Sequence, residues 1–238
     1  MPSSNSFRYS AQLLAEYSDA ALENAAELIA EAQLLHDNGH LARSYFIAVA
    51  AIEEIGKSFI AFEAQGRNLQ DSAVTAKVRR SLEDHSSKIN AAFHASVISH
   101  GNLRKELMGI IDLMIALKYG REPSMYVDIK YPSGEVKRPK SLVREVAARD
   151  CIQLAMHCYF KTSEHRESKS PSSRTKHDDE FYGMKDRKVQ ELFNTEDFWW
   201  FYINRAENGV KDISEAVVLY QREFLQKGKI FKKEARSK

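Results

Sequence analysis

The sequence predicts an all-α protein, an antiparallel helical bundle with a small inserted β-hairpin and extra C-terminal helices. Three observations carry this. Glycine (10) and proline (5) are scarce among 238 residues, about 4% and 2% against ordinary usage of roughly 7% and 5%, which disfavours turn-rich sandwiches and barrels. Apolar residues recur at three- and four-residue steps over long stretches, the period of a helix. The joints between those stretches are short and carry glycine, and short joints make neighbouring helices antiparallel.

The elements follow in order. Residues 9–37 read as one helix on Leu13, Leu14, Tyr17, Ala21, Leu28 and Leu35, closed by Asn38-Gly39, because glycine accepts the left-handed cap. A second runs from Leu41 to Gln65 and stops at Gly66. A third opens on Asp71, an N-cap residue, and runs to about Ser99; a fourth covers Leu103 to Lys118. Then the period changes to two: Met125, Val127, Ile129 and Tyr131 alternate with polar neighbours ahead of Pro132-Ser133-Gly134. This predicts a hairpin near residues 125–137. A fifth helix covers Ser141 to Thr162, and residues 163–188, nearly free of aliphatics, read as a flexible polar loop. An aromatic helix around Phe198–Tyr202 and a last helix capped by Asp212 complete the chain. The expected organisation is a helical domain over 1–162, the loop, and C-terminal helices over 189–238 packed on the same domain, ending in a basic tail.

Composition excludes several classes. The net charge is +2, so no global field announces a polyanionic partner, and local patches must do so. Cys151 and Cys158 lie seven apart on a helix, about 10 Å, too far for a disulfide, and are expected to be reduced core residues. The N-terminus lacks an apolar signal region, and the most apolar run, Tyr45–Ile52, is far below the roughly 18 residues of a membrane span. A cytoplasmic protein without membrane contact is the expectation. Glycine-rich phosphate loops, CxxC, HExxH and GxSxG are all missing, and no histidine spacing demands a metal, so neither metal nor cofactor is expected.

Two clusters remain. Glu53-Glu54-Ile55-Gly56-Lys57 closes the apolar run of the second helix. Glu53 or Glu54 can bridge to Lys57 at i,i+4 or i,i+3, and a mid-helix glycine, costing about 1 kcal/mol against alanine, implies close approach of another backbone. Farther on, Arg79-Arg80 precedes His85, with Lys88 one turn later. An imidazole that titrates near neutrality can move the proton of an RNA 2′-hydroxyl, and a guanidinium can neutralise the charge developing on phosphorus. The R-x(4–6)-H spacing alone recurs by chance, and five helical residues set Arg80 and His85 about 140° apart. They converge only at an irregular helix end or between two chains. Phe198-Trp199-Trp200-Phe201-Tyr202 offers base stacking or, more simply, core packing.

These residues, in this order, resemble the AbiV-type abortive infection proteins of bacteria, a branch of the HEPN superfamily. The matching pieces are Ala50-Ala51-Ile52-Glu53-Glu54-Ile55-Gly56-Lys57, His85-Ser86-Ser87-Lys88, Leu117-Lys118 and Met125-Tyr126-Val127-Asp128 before Gly134 and Pro139. The resemblance spans about residues 10–160. It implies a HEPN-like bundle, a homodimer, a role in stopping phage growth, and a phage protein as trigger. It also implies metal-independent RNA cleavage with Arg80 and His85 as catalytic residues meeting across a dimer. Arg79, Lys88, Glu53, Glu54 and Lys57 would support that site. Two alternatives stand beside this reading. One is a non-catalytic binding module that senses a phage protein or blocks a host target, with the same polar residues fixing helix register. The other is the toxin of a toxin–antitoxin pair.

Overall fold

The computed structural model describes residues 8–99, 117–171, 173, 177–210 and 212–231. Helix α1 (Ala11–Asp37) opens with Ser10, whose hydroxyl accepts from Leu13 N–H. It turns through Gly39 at φ +76° into α2 (Leu41–Ala64). The buried face of α1 is Leu14, Ser18, Ala21, Leu22, Ala25 and Ala32, mostly small side chains that let the antiparallel helices approach closely. Two buried hydroxyls tie the pair: Ser18 Oγ donates to the Ser58 carbonyl and Ser44 Oγ to the Ala32 carbonyl, each at 2.8 Å.

The expected third helix is two. Helix α3 (Ser72–Glu83), capped by Asp71 as the sequence predicts, ends one residue before α4 (His85–Ser99). Asp84 between them is extended, at φ −79° and ψ 121°, and its carboxylate accepts from Ser87 N–H at 2.7 Å. A short acceptor side chain competes for backbone donors and restarts the helix in a new direction. The new direction carries α4 across α2 at Gly56, where a Cβ would stand 1.8 Å from the Lys88 carbonyl oxygen. The glycine is there because a backbone is.

Residues 117–120 are helical and lead to strands β1 (Asp128–Lys130) and β2 (Glu135–Lys137), antiparallel with Ile129 opposite Val136. The rest of the expected helix 103–118 lies outside the described residues. Helix α5 (Pro139–Leu142) is one turn, and α6 (Glu145–Ser168) runs six residues past its expected end, so residues 163–168 are helix and not loop. These polar residues stay helical because their inner side has partners: His165 Nε2 lies 2.8 Å from Glu63, and Arg166 pairs with Asp19. Within the remaining polar segment, α7 (Asp178–Gly183) is also helical. Helices α8 (Asp186–Phe193), α9 (Glu196–Glu207) and α10 (Ile213–Glu223) and a 3₁₀ turn (Leu225–Lys227) follow. The tail beyond residue 231 lies outside the described residues.

Helix α2 is the axis of the molecule, with α1, α4 and α6 packed around it and α3 across one end. One continuous core joins Val49, Ile52 and Ile55 of α2 to Phe93 of α4, Ile152 of α6 and the aromatics of α9. All five residues from Phe198 to Tyr202 are buried, which decides between stacking and packing in favour of packing. Cys151 and Cys158 are free, buried thiols, and burial pushes both pKa values up, that of Cys158 to about 12.

Candidate active site

Glu53 is a carboxylate near the middle of α2, 5% exposed at the end of an apolar run. Three cationic or titratable groups converge on it. His85, the first residue of α4, brings Nδ1 to 2.7 Å from Oε2, and Lys88, one turn on along the same face, brings Nζ to 2.9 Å from that oxygen. Arg121 Nε stands 2.8 Å from Oε1 without aiming its N–H along that line. Its guanidinium lies over the Phe46 ring, 5.3 Å from the centroid, and Phe46 is two helical turns before Glu53 on the same side of α2.

The electrostatics follow from this geometry. Burial acts to raise the Glu53 pKa, but hydrogen bonds from Lys88 and His85 and the charges of Lys88 and Arg121 outweigh it and hold the carboxyl below its ordinary range. An ionised carboxylate only accepts hydrogen bonds, so it fixes the proton of neutral His85 on Nδ1. The His85 side chain is 56% exposed, and Nε2, with its lone pair, is the nitrogen left for a substrate. Lys88 and Arg121 bring two positive charges against one carboxylate, so the centre keeps an excess of one positive charge beside the imidazole.

The other expected residues divide. Glu54 and Lys57 form a separate half-buried pair at 2.5 Å. Arg79 is exposed and bridges to Glu83 at 2.9 Å on the outer face of α3. Arg80 lines a cavity of about 560 Å³ between α2, α3, α4, α7, α8 and α10. Both arginines are exposed, and of the two only Arg80 borders this open cavity. Ser87, Asn90 and His94 line the same cavity from α4, and its walls do not include His85. Helix α4 thus presents His85 and Lys88 to Glu53 on one face and its cavity residues on another, so Arg80 and His85 of one chain serve different sides of the α3–α4 joint. Asn90 Oδ1 and His94 Nε2 are sealed from solvent with no hydrogen-bond partner, although His94 as a residue is only half-buried. Burial lowers the His94 pKa to about 4, so its ring is neutral at physiological pH.

The family model HEPN_AbiV, described as AbiV, matches residues 13–159. The chain belongs to the AbiV family. No curated protein and no solved structure matches it. The matched span of this AbiV protein contains the whole Glu53 centre, the α3–α4 joint and the hairpin, whereas α7–α10 lie beyond it. Sequence reasoning missed Arg121, which is 68 positions from Glu53. The available signal was indirect: an acid closing an apolar run must be buried against cations, but nothing in the spacing says which. Among the described residues no group of three or more His, Cys, Asp or Glu is arranged to hold a metal ion, and no helix is long and apolar enough to cross a membrane.

Proposed function

The protein is an abortive-infection protein of HEPN type, and we propose that it arrests the infected cell by cutting RNA without a metal. The observation that carries this is the half-exposed His85 imidazole held by a buried carboxylate. With its Nδ1 proton on Glu53, Nε2 removes the proton of a 2′-hydroxyl, whose oxygen attacks the adjacent phosphorus. The 5′-oxygen departs with a proton from an imidazolium, leaving a 2′,3′-cyclic phosphate on one product and a 5′-hydroxyl on the other. Arg80 neutralises the charge gathered on the nonbridging oxygens. Because Arg80 and His85 lie on different sides of the joint, they act together across two copies of the chain. The cavity beside Arg80 suits a strand, with aromatic walls from Phe59, Phe181 and Phe193. Lys88 and Arg121 hold Glu53 ionised and add local positive charge; Glu54, Lys57 and Arg79 support from farther out.

One observation favours a second reading. Glu53 and Lys88 are each 5% exposed, which is how a pair that fixes helix register looks, and a binding module with no chemistry needs no more. The two readings separate on His85→Ala. A nuclease loses phage protection with its melting temperature nearly unchanged, whereas a register-fixing role makes stability and protection fall together.

A further inference from the structure

The β-hairpin carries a row of apolar side chains without a fold to cover them. Tyr126, Val127, Ile129, Tyr131 and Val136 are 61, 64, 44, 82 and 52% exposed, and the sheet has two strands only. Both strands are therefore edges. The Ile129 N–H is bonded locally, to Asp128 Oδ1 at 2.8 Å, a makeshift partner for an edge donor.

We propose that β1 pairs antiparallel with β1 of a second copy of this chain about a two-fold axis at Ile129, whether or not the protein cuts RNA. The charges select this register. Pairing about Ile129 sets Asp128 of each copy opposite Lys130 of the other, two attractive cross-strand pairs. An axis on Asp128 would oppose two aspartates, and an axis on Lys130 two lysines. The same axis brings Val127 opposite the second copy's Tyr131 and Ile129 opposite its counterpart, so the apolar positions meet one another. It also frees the Ile129 N–H to bond the second copy's Ile129 carbonyl, releasing Asp128 to its lysine. Strand β2 repeats the charge pattern with Glu135 and Lys137, but its flanks are Gly134 and Arg138 and offer no such apolar contact. Edge pairing of this kind gives a four-stranded sheet, closed by symmetry and not open to further addition through β1.

The test is sedimentation of the full-length protein at increasing concentration. The wild type is expected to be a dimer. Asp128→Lys and Lys130→Asp each turn both opposed pairs repulsive and should weaken association about tenfold or more. An equimolar mixture of the two variants sets two cations of one chain against two acids of the other and should recover the dimer. The mixture also separates association from damage within the hairpin, since each substitution meets a like charge on β2 and mixing does not repair that. A wild type that stays monomeric up to about 100 µM, a single variant as dimeric as the wild type, or a mixture no more dimeric than its components would each overturn the proposal. A monomeric wild type would also count against the nuclease reading, which joins Arg80 and His85 of two copies, whereas a dimer that ignores the hairpin charges overturns this pairing alone and leaves RNA cleavage to be measured separately.

Discussion

At the scale of single residues, one buried carboxylate organises the chemistry. Glu53→Ala leaves Lys88 buried and uncompensated, and removing one member of such a pair costs about 3–5 kcal/mol; equilibrium unfolding in urea reads this directly. Glu53→Gln keeps the shape but removes the charge that pins the His85 proton, so cleavage should fall by more than stability accounts for. The two shifted groups also set the response to acid. His94 is held neutral in the folded chain, with a pKa of about 4 against 6.5. Below pH 6.5 the unfolded chain takes up a proton that the folded chain refuses, so stability is lost as pH falls through this window. Glu53, with its pKa depressed, adds stability that is present above the ordinary glutamate value and lost as pH falls below it. Melting temperature should therefore decline from pH 6.5 toward 4 and more steeply below. His94→Gln should flatten the upper part of that decline and leave the lower part; an unchanged profile would show that His94 is not sealed as described.

Among the elements, the crossing of α2 and α4 is the most exacting contact. A methyl group at Gly56 meets the Lys88 carbonyl, a backbone atom that cannot swing aside. The roughly 1 kcal/mol that alanine gains in helix propensity should be overwhelmed, and Gly56→Ala should destabilise by at least about 1–3 kcal/mol and displace Lys88 and His85 from Glu53. Asp84→Ala removes the cap between α3 and α4, at a cost of about 1 kcal/mol, and should let the joint straighten, with a larger effect on activity than on melting. Much of this level was legible. Scarce glycine and a helical period predict the bundle, the positions of Asp71 and Asp212 predict the caps that they form, and a glycine at 56 predicts the close approach found there. The break at Asp84 was not legible, because Arg80-Ser81-Leu82-Glu83-Asp84-His85 keeps an unbroken helical pattern and a capping aspartate looks like any surface acid. The extension of α6 escaped for the opposite reason: residues 163–168 are polar throughout, and the ion pairs that hold them join residues about a hundred or more positions apart.

For the whole molecule, helices beyond the AbiV match complete the core. The aromatic block of α9 packs against residues of α2, α4 and α6 in one cluster, so a chain truncated after residue 168 would expose Phe198's neighbours and is expected to be insoluble or partly unfolded by circular dichroism. The site's members come from α2, α4 and the segment before the hairpin, which is why the sequence offered Glu53, His85 and Lys88 as candidates and left Arg121 unread. The most direct test of the account is RNA cleavage by purified protein in excess EDTA, wild type beside His85→Ala and Arg80→Ala, with the fold of each verified. Cleavage by the wild type that leaves 2′,3′-cyclic phosphate ends, and that both folded variants lack, is the predicted result. Cleavage that persists in folded His85→Ala, or intact RNA with every wild-type preparation including one supplemented with phage-infected lysate, would contradict it.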